Sequence, residues 1–565
     1  RYSIAYFIGW IMIDNFLLLK LNRSIWISLL DQEKIIEGIN YFETYMNNLA
    51  SIQTDKNYAK PVSEEMGACE ALFIMKMLEI ADKFFEKKDY SNALICYTAL
   101  FKYCQEDVDL LKNYIECLNQ LKLYDLATEL IKHLEQTVPE DEDVYKFLAD
   151  FYDKKNDCQK TIFFMEKYFN APDCVPSAQD YNLLGCYYNK LYSQQMTDIS
   201  LAKKSMDCFV KASELEPNTK LYAKNVTILA VRINDSETGK KYWNRVFELG
   251  KINNDDKYDY AAFCLRRSDF EGWKKYFGSR FQKETNPTAF PKLSKQEWKG
   301  DKSLYNSTIL VYFEQGFGDT FLMWGYMSRL VKMAKHVIFV VQDAIYPLLK
   351  DNDLGVEVLS KSSTDLSKLK YDCWIPSMSI PVALNLEKDN ISVGEGFIKV
   401  KEEEIQKAKE KYFNTDKLKI GISFKGSPIG NHFRDIPIDE FLMLDKLDNI
   451  EIYSLTKDIP DDAFECFKSH KVHNIAKDFK NFEDTAAAMM NLDVVVTADN
   501  CLLNLAGALG LKTFGLFNWQ YEFRWYNLAG KDSGWLTSVK PFICPKISDW
   551  AAPMSKIVNE IKTIK

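Results

Sequence analysis

The stretch Val311-Tyr312-Phe313-Glu314-Gln315-Gly316-Phe317-Gly318-Asp319-Thr320 decides how the chain divides. It closes an apolar, β-branched run, Thr308 to Phe313, that reads as a short buried strand. After it, from Phe321 to Val331, apolar residues recur at helical spacing. Strand, glycine turn and helix are the opening of an α/β nucleotide-binding unit. Gly316 and Gly318 would let the backbone turn tightly, and the N–H groups at the helix start favour an anion. Thr320 completes this glycine loop. Asp319 aims a carboxylate at the same place, although Asp is also a favoured helix cap.

Downstream of this hinge, strand-like and helical runs alternate. His336–Val341, Val356–Leu359 and Tyr371–Pro376 read as strands, and a charged helix spans about Glu402 to Tyr412. A second series follows at Lys419–Phe424, Ile450–Leu455, Asp493–Ala498 and Lys512–Phe517. Such alternation gives parallel sheets, whose ligands bind beyond the C-terminal strand ends. Two further strand ends carry candidate groups. One is Ser423-Phe424-Lys425-Gly426-Ser427-Pro428, with Arg434 shortly after. The other is Asp499-Asn500-Cys501-Leu502-Leu503-Asn504, running into Leu505 to Gly510. Taken singly, Lys425 and Arg434 read equally as solvated loop charges, and Asp499-Asn500 as a turn. Three such groups at strand ends of a two-lobed α/β protein carry more weight.

Upstream, the chain has a different period. Ala93, Ala127 and Thr161 lie 34 residues apart, and so do Ser205 and Gly239. Each of these residues sits in an amphipathic stretch, and Pro139 and Pro217 fall twelve residues after the small residue of their repeats. This is the spacing of tetratricopeptide (TPR) helix–turn–helix repeats, whose concave face takes polypeptides. Between the third and fourth copies the interval is longer, which predicts an insertion over 189–201. The repeats fade toward Ser268–Trp273, and a Pro- and Lys-containing connector follows at 286–307.

Composition narrows the partners. Hydrophobic residues at 47% and charged residues at 27% describe a globular chain, and its 565 residues exceed one ordinary core. A net charge of −8 argues against nucleic acid as the main partner. Thirteen scattered cysteines with no C-x-x-C pair suit thiols in a reducing, cytoplasmic setting. His470 and His473 lack a carboxylate–histidine motif around them, so no metal is expected. Ile4 to Leu19 is apolar, but Asp14 and Asn15 interrupt it. It reads as a capping or partner-binding helix rather than a membrane span, so membrane association is not expected.

The ordered set Ser268–Trp273, Trp298-Lys299-Gly300, Glu314–Thr320, Tyr371-Asp372 through Leu384, Asp499-Asn500 with Leu505–Gly510, and Arg524-Trp525 with Ser533-Gly534-Trp535 resembles bacterial tetratricopeptide-repeat glycosyltransferases. Their catalytic half is similar to the heptosyltransferases. The resemblance implies a GT-B fold of two Rossmann-like lobes behind an all-α TPR-like solenoid. The expected domains are an N-terminal helical segment (1–67), helical repeats (68–285), the connector (286–307), an acceptor-side lobe (308–400), a nucleotide-sugar lobe (401–548) and a C-terminal helix (549–565).

The resemblance also implies roles. Asp319 matches the general base, and Arg434 a basic residue at the donor diphosphate. The Asp499-Asn500-Cys501 turn matches the backbone that receives the phosphates. Asn504 stands where the family often has His. With Lys425 and the helix-start N–H groups through Leu502, these residues would stabilise the leaving group. Trp519, Phe523 or Trp525 would wall the sugar or base. The expected activity is inverting, metal-independent transfer of a sugar from a nucleotide-sugar, a co-substrate rather than a cofactor, to a flagellin- or adhesin-like protein. The alternatives are a non-catalytic adaptor with a vestigial α/β half, and an enzyme acting on a lipid-linked glycan.

Overall fold

The computed structural model describes residues 23–53, 59–137, 142–172, 174–195, 198–426, 434–459, 461–470 and 472–564. The apolar N-terminal stretch and Pro139 lie outside them. The chain forms two compact units, divided between Pro176 and Ser177.

The first unit is helical. The helices Tyr90–Phe101, Val108–Gln120, Tyr124–Thr137, Glu142–Lys154 and Cys158–Phe169 follow one another in the chain. The small residues predicted from the period are buried: Ala93 and Ala127 are fully enclosed and Thr161 is 1% exposed. The turns repeat as well. Lys88, Lys122 and Asn156 each adopt a left-handed conformation, with φ near 60°, at intervals of 34 residues. Asp89 and Asp157 then cap the next helix, each accepting an N–H three residues on.

The second unit opens with the same chemistry. Helices Ala178–Gln195, Ile199–Leu215, Lys220–Arg232, Ser236–Glu248, Asn254–Arg266 and Phe270–Tyr276 continue the TPR-like series. Asn234 and Ser268 take the left-handed turn position, and Asp235 and Asp269 cap. Gly239 is small by necessity, because a Cβ there would come within 2.6 Å of the Phe263 ring. The residues expected as an insertion at 189–201 lengthen the paired helices instead. The first now runs 18 residues and the second 17, against 13 and 12 in the preceding pair.

Two parallel sheets follow. In the first, the strands β1 (Gln296–Glu297), β2 (Thr308–Tyr312), β3 (His336–Val341), β4 (Val356–Ser360) and β5 (Cys373–Pro376) lie in the order β1-β5-β2-β3-β4. The second comprises β6 (Leu418–Ser423), β7 (Ile450–Ser454), β8 (His473–Asn474), β9 (Val494–Ala498), β10 (Thr513–Phe517) and β11 (Val539–Ile543). Their order is β11-β10-β9-β6-β7-β8. Both are doubly wound, with the strand order reversing between β5 and β2 in one and between β9 and β6 in the other. The connector is part of the first sheet. Its Trp298 is 3% exposed and donates its N–H to the Trp374 carbonyl at 2.7 Å, and its Phe290 stacks on Trp374 at 5.1 Å.

One continuous apolar core joins the last repeat helices to both sheets. It runs from Ala261, Leu265 and Trp273 through Phe321 and Trp324 to Leu503, Trp525 and Val539. The other face of the second sheet is covered by Met554, Ile557 and Ile561 of the helix Ala551–Ile561. Among the described residues no helix is long and apolar enough to cross a membrane, and none of the thirteen cysteines is in a disulfide.

Candidate functional site

Two helices leave strand ends and meet at their N-termini: Phe317–Trp324 after β2, and Cys501–Leu509 after β9. The turn into the first is tighter than a reading of two glycines suggests. The left-handed residue is Gln315, at φ 61°, while Gly316 is extended, at φ −83° and ψ 172°. Gly318 is needed for approach rather than for turning. A Cβ on it would lie 2.7 Å from Asn504 Nδ2 and 3.2 Å from Cys501 Cα. Thr320 is fully buried and donates to Gln342 Oε1 at 2.8 Å.

Asp319 caps from inside its own helix, accepting the Gly316 N–H at Oδ2 over 3.0 Å. Its other oxygen, Oδ1, accepts from Nη1 of Arg524, which comes from the loop after β10. The pair is largely buried, with Asp319 at 4% exposure. Arg524 also grips Glu522, donating from Nε to Oε2 at 2.5 Å and from Nη2 to Oε1 at 3.2 Å.

On the second helix the cap is the Asn500 side chain, whose Oδ1 accepts from the Leu502 and Leu503 N–H groups at 2.9 and 3.3 Å. Of the N–H groups expected to face phosphates, at 500–502, that of Leu502 is therefore already partnered within the protein. Asn500 Nδ2 donates to Ser423 Oγ at 2.8 Å and to the Lys425 carbonyl at 3.0 Å, tying the end of β6 to the end of β9. The Lys425 side chain is exposed. Arg434 Nη1 reaches the Asp499 carbonyl at 3.5 Å. Arg434 Nε and Asn504 Oδ1 are buried without a hydrogen-bond partner among the described residues. The loop 427–433 between Lys425 and Arg434 lies outside them.

Burial sets the protonation of this cluster. It pushes the Asp499 carboxyl up to about 6, against the pull of the Arg434 guanidinium and of Trp525. Burial, then the Asp499 charge, push Glu522 up to about 8, against the pull of the Arg524 backbone N–H and of the Arg434 and Arg266 guanidinium groups. The Arg524 guanidinium is lowered to about 10 by the same burial, which leaves it cationic at neutral pH. Cys501 is likewise driven up, to about 11, so its sulfur stays a thiol.

Arg434, Asp499, Asn500 and Asn504 are thus brought together, and the helix start that carries Asp319 approaches them through Gly318, which lies against Asn504 and Cys501. The three aromatic residues are placed in packing contacts. Trp519 packs on the apolar cluster of the repeat helices. Phe523 meets the Tyr258 ring edge-on at 6.2 Å. Trp525, 1% exposed, lies against Phe517 at 5.2 Å. Among the described residues no group of three or more His, Cys, Asp or Glu side chains is arranged to hold a metal ion. His470 turns instead to Asp445, at 2.6 Å.

Sequence reasoning gave no role to four residues. Glu522 and Arg524 are charges inside the aromatic stretch Trp519–Trp525, and that setting was the available signal beyond the place of Arg524 in a motif. The other two, Arg280 and Glu314, 34 residues apart, form a fully buried pair that nothing in the local pattern announces.

No family model and no curated protein matches the chain. Among solved structures, its helical part is similar to a MamA protein, at 16% identity and a TM-score of 0.27, over 33% of this chain and 95% of that one. It is also similar to YrrB, titled a TPR protein with an unusual peptide-binding site, at 14% identity and a TM-score of 0.28, over 32% and 89%. A third is Pseudomonas aeruginosa pilF, at 11% identity and 0.26, over 37% and 90%.

Proposed function

We propose that the chain is a glycosyltransferase of GT-B type that moves a sugar from a nucleotide-sugar to a polypeptide held by its helical repeats. The observation that supports this best is the close approach of the helix start that carries Asp319, after β2, to the helix that begins at Cys501 where the strand order reverses between β9 and β6, beside Arg434 and Asp499. Asp319 would accept the proton of the acceptor hydroxyl, and the Arg434 guanidinium would stabilise the departing diphosphate. Arg434 Nε and Asn504 Oδ1, buried without a partner among the described residues, are groups that a donor would satisfy. The concave side of the repeats would present the acceptor, in a cytoplasmic setting.

Substituting Asp319→Asn tests the reading. Loss of a general base predicts a fall in turnover of about 10²- to 10⁴-fold, with donor affinity nearly unchanged. Full activity in that variant removes Asp319 from the chemistry.

A second reading has its own support. Both Asp319 oxygens and the Leu502 and Leu503 N–H groups have protein partners, which suits an adaptor whose α/β half is a scaffold. Titration with nucleotide-sugars separates the two, since an adaptor binds none.

A further inference from the structure

The loop that carries Arg524 is fastened to the repeat helices at almost every residue. Asn234 Nδ2 donates to the Trp519 carbonyl at 3.2 Å. Gln520 Nε2 donates to the Tyr192 hydroxyl at 2.5 Å and to the Arg232 carbonyl at 2.8 Å. Arg266 donates to the Tyr521 carbonyl at 2.9 Å, lies over the Tyr521 ring at 4.2 Å, and pairs with the Asn234 side chain. Beyond the loop, the Trp535 indole N–H closes on the Arg524 carbonyl at 2.8 Å. This bracing ends on one guanidinium, which reaches Asp319.

A carboxylate base is effective only if its free lone pairs face the acceptor, and a misplacement of about 1 Å can cost about 10²-fold. The helix cap fixes one Asp319 oxygen and Arg524 fixes the other, so rotation of the carboxylate is decided by Arg524.

We propose that Arg524 is the positioning residue for Asp319, and that the repeat helices hold it in place through Asn234 and Arg266. The role rests on the reading of Asp319 as the base. It makes the last repeats part of the reaction centre as well as a carrier of the acceptor. Arg524 touches no reacting atom in this role and acts through Asp319.

The test is a set of variants of the full chain, each checked for a wild-type melting profile. Arg524→Gln should lower kcat about 10²-fold while the donor KM changes less than about threefold. Arg524→Lys should recover part of that loss. In an Asp319→Asn background, Arg524→Gln should cost nothing further, because residues that act as a unit are not additive. Asn234→Ala with Arg266→Gln should lower kcat about tenfold and show the same dependence on Asp319. If the Arg524→Gln chain fails to fold, Arg524→Lys compared in both backgrounds carries the test. An active wild type in which the Asp319 and Arg524 losses simply multiply overturns the positioning role alone. A wild type silent toward every nucleotide-sugar overturns the transferase reading, and this role with it.

Discussion

The two sheets reverse their strand order in the same way but fill the reversal differently. In the first, between β5 and β2, the space belongs to Arg280 of the repeat tail. Its guanidinium donates to both oxygens of Glu314 at 2.9 and 2.7 Å, to Ser379 Oγ at 2.7 Å and to the Phe277 carbonyl at 3.0 Å. Glu314 in turn accepts the Met378 N–H at 2.8 Å. Charge and hydrogen bonds close on themselves there, and both side chains have no exposure. In the second, between β9 and β6, Asn500 bridges the strand ends, but Arg434 Nε and Asn504 Oδ1 meet no hydrogen-bond partner among the described residues. A polar group left unmet in a buried place is a cost that a ligand can remove. Under the proposed function, the first reversal is closed by structure and the second is where a donor would be met.

The largest effect expected from this contrast concerns the repeats. Deleting residues 1–285 removes Arg280, Asn234 and Arg266 together and should unfold the α/β half. Deleting 1–176 should leave 177–565 a cooperative folding unit, read by thermal melting. That outcome changes how acceptor classes can be separated, because loss of activity on deleting 1–285 would occur with a lipid-linked acceptor as well as with a protein.

At finer scale, Arg280→Met leaves Glu314 buried without its partner, and should destabilise the second unit by about 3–5 kcal/mol in urea unfolding. A small effect would mean that the first reversal tolerates an unpaired charge, and the contrast would weaken.

Next comes a pH effect at the second reversal. The Asp499 carboxyl, pushed up to about 6 from an ordinary value of 3.8, favours the fold only in its protonated form. That contribution is complete below about pH 4 and is lost as pH rises through 6. Asp499→Asn should therefore stabilise the protein above pH 6, by at most about 3 kcal/mol, with little gain at pH 4. Equal effects at both pH values would contradict the burial argument. The same variant should weaken donor binding, as is usual where a site keeps strained charge.

The smallest effect expected is at the helix contact. Gly318→Ala forces Asn504 aside and should cost about 1–3 kcal/mol, with part of it restored by Asn504→Ala.

The strands were legible wherever β-branched residues run together. β3 and the helix Glu402–Tyr412 fall where their patterns place them, because a β-branched run and a charged helical spacing are both written locally. β11 was not legible. Val539-Lys540-Pro541-Phe542-Ile543 contains a proline, which reads against a strand, yet β11 lies at the sheet edge, where proline is tolerated. The helix after the hinge starts at Phe317, earlier than its apolar spacing suggests, because the Asp319 cap fixes its start, and past Gly325 the rest of that run forms a second helix, Met327–Met333. The small residues of the repeats were readable since close helix packing constrains residue size directly. What joins the repeats to the sheets was not, because Arg266, Arg280 and Arg524 find their partners across 32 to 255 positions of sequence.

The most direct test is nucleotide release by the full chain across uridine-, guanosine-, adenosine- and cytidine-linked sugars, with Arg434→Ala as the matched control. Release from at least one donor, reduced in the control, is the result expected of a second reversal built for binding. Neither release nor binding with any donor would contradict it.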